Sequence, residues 1–181
     1  LNLSNNLKLN LIKESSGDKK LNTNLTLGQA RINSKEVKKN DIFFAIRGRK
    51  NDGNKFVEEA LKKKASIVVV NKIKKKLDYK KQIKVIDSLK FLTETSTIFR
   101  ENIDAKIIAI TGSCGKTTLK ELLGKTLKKI SKTTISPKSY NNKYGVPLSL
   151  FNLSKNDNYG VLEVGMDKKG EIDYLSKIIK P

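Results

Sequence analysis

Short apolar runs rich in β-branched residues recur along this chain, and each is followed by a stretch long enough to hold a helix. The clearest runs are residues 42–46, 67–70, 107–110 and 161–164. Runs of this length are typical of strands buried on both faces, and parallel strands need long, usually helical, connections between them. The alternation therefore predicts an α/β fold with a mainly parallel sheet and right-handed crossovers.

In the first half of the chain, this pattern predicts strands at residues 41–46, 67–70 and 83–86, and helices at residues 56–64 and 88–100. Helix polarity supports the first of these helices, because acidic residues lie in its first turn and lysines in its last. Asp87 or Ser88 is the expected cap of the second helix. Before this unit the sequence contains only weak strand-like stretches, at residues 7–12 and 21–27.

The second half begins with the strand at residues 107–110, which leads through a loop into a helix. The apolar residues of that helix recur at the spacing of a face packed on a sheet; they are Leu119, Leu122, Leu123, Leu127 and Ile130. Further along, the pattern predicts a strand at Thr133–Ile135, a short helix near Pro147, a strand at 161–164 and a helix at Glu171–Ile179. Because a fresh strand–loop–helix unit begins near Asp104, we predict two domains, residues 1–103 and 104–181.

Lysine dominates the charge of the chain, which contains 38 Lys and Arg residues and 18 Asp and Glu residues and so has a net charge of +20. Such a balance occurs in nucleic-acid-binding proteins. Here the excess is almost all lysine spread along the chain, and arginine, the better reader of bases, occurs only at positions 31, 47, 49 and 100. This distribution favours solvated faces, and a basic nucleic-acid-binding module stays open as an alternative.

The sequence also bears on where the protein works. Its apolar runs are far shorter than the ~20 residues that span a bilayer, and its N-terminus lacks the pattern of a secretory signal. A single cysteine excludes an intramolecular disulfide, and the absence of histidine argues against a zinc site. We therefore expect a cytoplasmic protein without membrane insertion.

A glycine-containing loop lies between the strand at residues 107–110 and the helix that follows. Glycines let backbone N–H groups approach an anion, and the helix N-terminus adds partial positive charge. Lys116 can reach the β- and γ-phosphates of a nucleotide, and Thr117 can place its hydroxyl on Mg²⁺. The loop departs from the general phosphate-loop pattern at Ile110, where glycine is usual, and a simple strand–helix turn is the alternative. The residues expected to bind ATP are Gly112, Ser113, Cys114, Gly115, Lys116, Thr117 and Thr118.

A carboxylate for the same metal is expected at the end of a neighbouring strand. Glu163 is a charged residue inside an apolar run, where an unpaired carboxylate would be costly. Because the carboxyl ends of adjacent parallel strands meet at one crevice, Thr117 and Glu163 are predicted to hold Mg²⁺ together. The alternative is an edge-strand glutamate that faces water.

Asn141 and Asn142, followed by Gly145 and Pro147, form a third candidate. Their amide groups are suited to hold a phosphate, a nucleotide or a substrate carboxylate. They are equally suited to form a turn and stabilise their own backbone. The residue types alone leave both interpretations open.

Taken together, these motifs resemble the Mur ligases, which build peptidoglycan precursors. The family's phosphate loop has the form Thr-Gly-(Thr/Ser)-x-Gly-Lys-Thr, which residues 111–117 match. Residues 34–70, 141–150 and 163–172 are also similar to the family, so the resemblance covers nearly the whole chain. Within the family, it is strongest to the members that join D-alanyl-D-alanine to a UDP-N-acetylmuramoyl-tripeptide.

The resemblance implies a small α/β N-terminal domain that binds the UDP-sugar near Ser34 and Lys35, followed by the first part of an ATP-binding central domain with a mainly parallel sheet. It implies Mg²⁺ held with the help of Thr117 and Glu163. In the implied reaction, the peptide carboxylate attacks the γ-phosphate of ATP to give an acyl phosphate, and the amine of D-alanyl-D-alanine then displaces phosphate. The residues implied in catalysis are Lys116, Asn141 and Asn142.

Two positions depart from the family pattern: Lys35 stands where arginine is usual, and Asn54 where histidine is common. Family members are considerably longer, and this chain begins without methionine and ends at Pro181. The resemblance therefore implies an incomplete fragment, inactive by itself, of a monomeric enzyme. Another Mur-type ligase, or a folylpolyglutamate-type ligase, stays open as an alternative.

Overall fold

The structure, a computed structural model, describes residues 3–18, 21–22, 24–48 and 51–181. By its internal contacts, the chain divides into two compact units, Leu1–Thr95 and Ser96–Pro181. A helix at Ser88–Glu101 runs through this division, whereas the boundary expected from the sequence lies further along, near Asp104. The domain limits 1–103 and 104–181 stay a prediction.

The first unit contains a four-stranded parallel sheet in the order β1-β2-β3-β4. Its strands are β1 Ala30–Arg31, β2 Ile42–Phe44, β3 Ile67–Val70 and β4 Gln82–Lys84. Its helices are α1 Leu3–Ser16, α2 Val57–Lys62 and the first part of α3 Ser88–Glu101, and short 3-10 turns cover Ser34–Glu36, Gly53–Phe56 and Tyr79–Lys81. The three strands expected in this half are confirmed, although β2 and β4 are shorter than predicted.

The centre of this sheet is apolar on both faces. Every residue of β2 and β3 is buried, and Phe43 and Val68 pack in one cluster with Val37, Val57 and Ala60. Parallel strands that are covered on both sides need such residues. Burial of each valine or phenylalanine side chain contributes about 1.5–3 kcal/mol to folding. The buried strands therefore hold their ends, and the loops that begin there, in fixed positions.

The helix signals read from the sequence are confirmed at α2 and α3. The predicted helix at residues 56–64 begins as a 3-10 turn and continues as α2. In α2, the Lys62 ammonium group lies 2.9 Å from the Glu58 carboxylate, which is one turn earlier. Acidic residues thus lie in the first turn and a lysine in the last, as predicted. At the start of α3, the Asp87 carboxylate accepts hydrogen bonds from the backbone N–H groups of Leu89 at 2.7 Å and Lys90 at 3.0 Å.

The N-terminal segment corrects a prediction. The stretch at residues 7–12, expected to be strand-like, lies within helix α1, and the described residues of 21–27 form neither helix nor strand. The reason is that Lys8, Leu11 and Ile12 are buried at helical spacing, which overrides the alternation of Leu and Asn. In addition, Asn5 is bonded to the segment near Leu25, because its side-chain amide donates to the Leu25 carbonyl at 2.8 Å.

The second unit contains a three-stranded parallel sheet in the order β5-β7-β6. Its strands are β5 Lys106–Ile110, β6 Thr133–Ile135 and β7 Tyr159–Glu163. Its helices, after the end of α3, are α4 Lys116–Lys128, α5 Gly145–Phe151 and α6 Glu171–Ile179. Phe99 of α3 packs on Phe151 of α5, with ring centroids 5.8 Å apart. The sequence-based elements of this half are confirmed, and β6 and α6 have the predicted bounds.

The buried face of α4, by contrast, was predicted correctly only for Leu123 and Leu127, which are half-buried. Leu119, Leu122 and Ile130, expected on a face packed against the sheet, are 54%, 65% and 77% exposed. The residues of α4 that are buried are Lys120 and Gly124. Gly124 approaches Ile135 so closely that an added Cβ would lie 2.5 Å from its side chain. A glycine allows helix and strand to meet there, and this close contact sets which face of α4 points inward.

Candidate phosphate and metal site

The predicted phosphate loop connects the carboxyl end of β5 to the first turn of α4. Gly112 has a φ of 145° and Gly115 a φ of 73°. Both values lie in the region that only glycine adopts readily, so the loop conformation depends on these two residues. The turn that results leaves Ser113, Cys114, Gly115, Thr117 and Thr118 exposed.

The N-terminus of α4 is open to an anion. Gly115 is its cap residue and has no side chain to accept from the first backbone N–H groups, and the first turn contains no acidic residue. The Lys116 side chain lies over the loop, where Nζ donates to the Gly112 carbonyl at 2.5 Å. Free N–H groups, the helix dipole and an ammonium group therefore meet on one loop, which is the arrangement that binds phosphate.

Thr117 and Glu163 are in direct contact. The Thr117 hydroxyl donates to Glu163 Oε2 at 2.8 Å. Strands β5 and β7 are parallel neighbours in which Ile110 pairs with Glu163, so the loop and the carboxylate leave the sheet at the same edge. Glu163 is only 1% exposed, which rules out a glutamate facing water. A hydroxyl oxygen and a carboxylate oxygen within hydrogen-bond distance of each other are suitable ligands for a magnesium ion. The role of Thr117 and Glu163 in binding a metal stays a prediction.

A second set of contacts fixes the other atoms of Glu163. The Asn141 side-chain amide donates to Glu163 Oε1 at 2.9 Å, and the backbone N–H of Glu163 donates to the Ser136 hydroxyl at 3.2 Å. The Asn141 carbonyl in turn accepts from the backbone N–H of Gly165 at 2.6 Å. Asn141 thus orients the carboxylate, and a direct catalytic role for it stays a prediction.

Asn142 has a different position. Its side-chain oxygen accepts hydrogen bonds from the backbone N–H groups of Tyr144 and Gly145, both at 3.1 Å. This is the turn-forming use of asparagine that the sequence left open. It starts helix α5, and a role of Asn142 in catalysis stays a prediction.

Lys120 is a residue of this site that the sequence analysis missed. Its ammonium group lies 3.5 Å from Glu163 Oε2 and donates to the Lys138 carbonyl, and its side chain is fully buried. A lysine among the leucines of an amphipathic helix is normally assigned to the solvated face. The available signal was its spacing, because Lys116, Lys120 and Gly124 recur every four residues and so share one face of α4.

In the first unit, the two predicted substrate residues are held by a neighbouring helix. The Ser34 hydroxyl donates to the Glu59 carboxylate at 2.7 Å, and Lys63 Nζ donates to the carbonyls of Ser34 and Lys35, both at 2.9 Å. The hydrogen bond from Ser34, followed by that from Lys63, lowers the pKa of Glu59 below its ordinary value. Lys35 itself is exposed.

A cavity of about 500 Å³ opens after the carboxyl ends of β2 and β3. It is lined by Arg47, Asp52, Asn54, Asn71, Lys72, Ile73 and Lys74. Asn54, which stands where histidine is common, donates to Asp52 at 2.7 Å and accepts from the backbone N–H of Asn71 at 3.1 Å. The hydrogen bonds from Asn54 lower the pKa of the Asp52 carboxyl. Ser34 and Lys35 are not among the described residues that line this cavity.

The residues that the structure describes contain neither a cluster of metal-binding side chains nor a membrane-spanning helix. Among residues 3–18, 21–22, 24–48 and 51–181, no group of three or more His, Cys, Asp or Glu side chains is placed to hold a metal ion. The helices within those ranges are also too short or too polar for any of them to cross a membrane.

Comparison with known proteins matches both units to one family. The model of the Mur ligase middle domain matches residues 110–181, and that of the Mur ligase family, catalytic domain, matches residues 29–100. The UDP-N-acetylmuramoyl-tripeptide–D-alanyl-D-alanine ligase of Buchnera aphidicola subsp. Acyrthosiphon pisum is 39% identical over 158 residues, which cover 87% of this chain and 34% of that protein.

Solved structures agree. The UDP-N-acetylmuramoylalanyl-D-glutamyl-2,6-diaminopimelate–D-alanyl-D-alanyl ligase from Acinetobacter baumannii matches with a TM-score of 0.79 and 32% identity, over 96% of this chain and 39% of that one. A MurF ligase from Thermotoga maritima in complex with ADP matches with a TM-score of 0.67 and 33% identity, over 86% of this chain and 36% of that one.

This chain spans 34% of the length of the Buchnera relative and 39% of the Acinetobacter one. Within that span, the structure brings the loop at residues 112–118 together with Glu163 of the adjacent strand and with Asn141. Both family models and all three relatives point the same way, and the chain belongs to the Mur ligase family, of which it carries N-terminal and middle domain segments.

Proposed function

We propose that this chain supplies the UDP-sugar-binding and ATP-binding segments of a ligase that adds D-alanyl-D-alanine to a UDP-N-acetylmuramoyl-tripeptide. The observation that carries the proposal is the contact between Thr117 and Glu163 beside the phosphate loop. The names of the relatives, including one solved with ADP, supply the substrates. A cytoplasmic location and a monomeric state belong to the same proposal.

The loop binds the phosphates of ATP. Backbone N–H groups of residues 112–118 would hold the phosphates, and the α4 N-terminus would contribute its partial positive charge. Lys116 exchanges its bond to the Gly112 carbonyl for bonds to the β- and γ-phosphates. In phosphoryl transfer, little covalent chemistry is asked of the protein, so positioning and charge neutralisation by Lys116 are its main contributions.

Magnesium is the cofactor that suits this loop. Thr117 and Glu163 would hold it, since a hydroxyl and a carboxylate are the oxygen ligands that Mg²⁺ accepts together with phosphate oxygens and water. When bound, the ion neutralises charge on the phosphates and orients them. Asn141 serves the same end by fixing the Glu163 carboxylate through its second oxygen.

The reaction joins a carboxylate to an amine through an acyl phosphate. The terminal carboxylate of the tripeptide attacks the γ-phosphorus of ATP, and the bond to the bridging oxygen breaks to release ADP. The amine of D-alanyl-D-alanine then attacks the acyl carbon, the bond from that carbon to the phosphate oxygen breaks to release inorganic phosphate, and the nitrogen loses a proton to solvent as the amide forms. Lys116 counters the charge on the transferred phosphoryl group, and Asn142 keeps the adjacent loop and α5 in place.

The UDP-sugar binds to the first unit. The cavity at the ends of β2 and β3 is the better supported position, because Arg47, Lys72 and Lys74 bring positive charge to its lining, which suits a diphosphate. Ser34 and Lys35 stay predicted contacts. Of the two, the exposed Lys35 is the more available, since the Ser34 hydroxyl is already bonded to Glu59.

Equilibrium binding to the 181-residue chain tests the proposal. Isothermal titration calorimetry should detect ADP binding in the presence of Mg²⁺, and Lys116→Ala should weaken it about 10- to 150-fold, because hydrogen bonds to charged groups contribute about 1.5–3 kcal/mol. Lys125→Ala, an exposed lysine of the same helix, is the matched control and should bind ADP normally.

The UDP-linked tripeptide is titrated in parallel. Its affinity should be the same in the Lys116→Ala variant as in the unchanged chain, since its site lies in the first unit. Equal ADP affinity in the Lys116→Ala variant and the unchanged chain would remove the loop from the mechanism. If the tripeptide does not bind, the UDP-sugar assignment is wrong.

A further inference from the structure

Lys120 lies at the centre of the site and has no part in the reaction as proposed. Its side chain is 0% exposed, whereas Leu119 and Leu122 of the same helix are 54% and 65% exposed. Burying an ammonium group is unfavourable unless a charged or strongly polar partner compensates it. What surrounds Lys120 should therefore indicate what it does.

Among the residues that the structure describes, three contribute an oxygen close to the Lys120 ammonium group. These oxygens are that of the Lys138 carbonyl, Glu163 Oε2 at 3.5 Å and Glu121 Oε1 at 3.7 Å. The Glu121 side chain is 41% exposed, so solvent weakens its attraction. Glu163 is 1% exposed, so solvent screens its charge far less than that of Glu121. Glu163 is therefore the partner that matters electrostatically.

Lys120 and the proposed metal converge on the same atom. Glu163 Oε2 accepts from the Thr117 hydroxyl and lies next to the Lys120 ammonium group. A divalent cation bound to that oxygen would lie within a few ångströms of the ammonium charge, and the two cations would repel each other. Lys120 and a metal thus compete electrostatically for one carboxylate.

We propose that Lys120 is the built-in counter-ion of Glu163 and makes metal binding depend on the nucleotide. Lys120 balances the buried carboxylate, so the Lys120–Glu163 pair as a whole has no net negative charge to attract a free divalent cation. The phosphates of the nucleotide supply the additional negative charge, and the metal binds with them. The inference rests on the proposed function for the identity of the metal site, and Lys120 acts in it as a positioning residue.

The test is the effect of Mg²⁺ on thermal unfolding of the chain without nucleotide. The unchanged chain should show a Tm that shifts by less than about 1 °C between 10 mM MgCl₂ and KCl of the same ionic strength. Lys120→Met keeps the length of the side chain but leaves Glu163 unpaired, and its Tm should fall by about 10 °C. Mg²⁺ should restore several degrees of that loss, because the carboxylate now lacks a cation.

A double variant separates charge balance from packing. Lys120→Met with Glu163→Gln removes both charges, so its Tm should exceed that of Lys120→Met and should not respond to Mg²⁺. It also provides a folded protein if Lys120→Met alone does not fold. Lys125→Met is the matched control on the exposed face of α4 and should leave both the Tm and the Mg²⁺ response unchanged.

Two results would overturn the inference. One is a double variant no more stable than Lys120→Met, which would mean that Lys120 matters only for packing and for the Lys138 carbonyl. The other is a Lys120→Met variant whose Tm Mg²⁺ does not raise, or an unchanged chain whose Tm Mg²⁺ raises by several degrees. A failure of the proposed function is seen separately, as absent Mg-ADP binding to the unchanged chain, whereas the stability comparison still reports on the Lys120–Glu163 pair.

Discussion

Gly145, the first residue of α5, has no room for a methyl group. A Cβ added there would lie 2.6 Å from both the Cα and the carbonyl carbon of Tyr140, and 2.7 Å from its Cβ. Two of these atoms are main chain, so no side-chain rotation can relieve the contact and the segment itself must move. Gly145→Ala therefore tests whether the loop before α5 is held in one position.

The magnitude follows from two opposing effects. Overpacking of this kind costs about 1–3 kcal/mol, whereas exchanging glycine for alanine in a helix gains up to about 1 kcal/mol. We expect a net loss of about 1–2 kcal/mol, which lowers the Tm by about 2–8 °C. Because Asn141 follows Tyr140 and holds the Glu163 carboxylate, the affinity for Mg-ADP should also decrease.

Thermal unfolding and calorimetric titration of the 181-residue chain measure the two effects. Lys125→Ala, on the exposed face of α4, is the control for an ordinary substitution and should change the Tm by less than about 1–2 °C. A Gly145→Ala variant that is as stable as the unchanged chain and binds Mg-ADP equally well would show that the loop adjusts freely. The close approach to Tyr140 would then have no energetic importance.

Two further substitutions test the two units. Phe99→Ala removes a fully buried ring that packs on Phe151, and the lost contacts and the cavity should cost about 3–5 kcal/mol in chemical denaturation. Glu59→Gln tests the carboxyl whose pKa is lowered from 4.5 by the hydrogen bond from Ser34 and by Lys63. Because its pKa is lower in the folded chain, the ionised Glu59 carboxylate stabilises the fold at pH values above the pKa of the unfolded chain. This stabilisation is lost as the pH falls through the pKa of the folded chain. Glu59→Gln should therefore lower the Tm at pH 7 more than at pH 3. An equal loss at both pH values would contradict this.

The elements that could be predicted from the sequence are those in which local pattern and burial agree. Strand β3 is a run of four β-branched residues buried on both faces, and α6 has acidic residues in its first turn and a lysine in its last. Both were predicted with the bounds observed. The contact of Thr117 with Glu163 was also predictable, because adjacent parallel strands bring their carboxyl ends to the same edge.

The errors arose where the local pattern did not determine the period, as in α1, or the buried face, as in α4. In α1, leucines alternate as in a strand, but burial follows the helical spacing of Lys8, Leu11 and Ile12. In α4, the leucines share a face, but the glycine that meets Ile135 and the lysine that meets Glu163 determine which side points inward. Those partners lie on other strands, so spacing within the helix does not reveal them.

The bond between Lys116 and the Gly112 carbonyl also bears on how fast a nucleotide can bind. In the structure the loop is already turned by its two glycines, and the lysine side chain lies across it. A phosphate that enters the loop would replace one acceptor of the ammonium group by another, and the turn that its two glycines form is already present. Rotation of a lysine side chain takes picoseconds to nanoseconds, whereas ordering a loop takes up to microseconds. Association should therefore be limited by diffusion and orientation of the nucleotide, and its rate should fall with ionic strength as the charge of the lysines is screened.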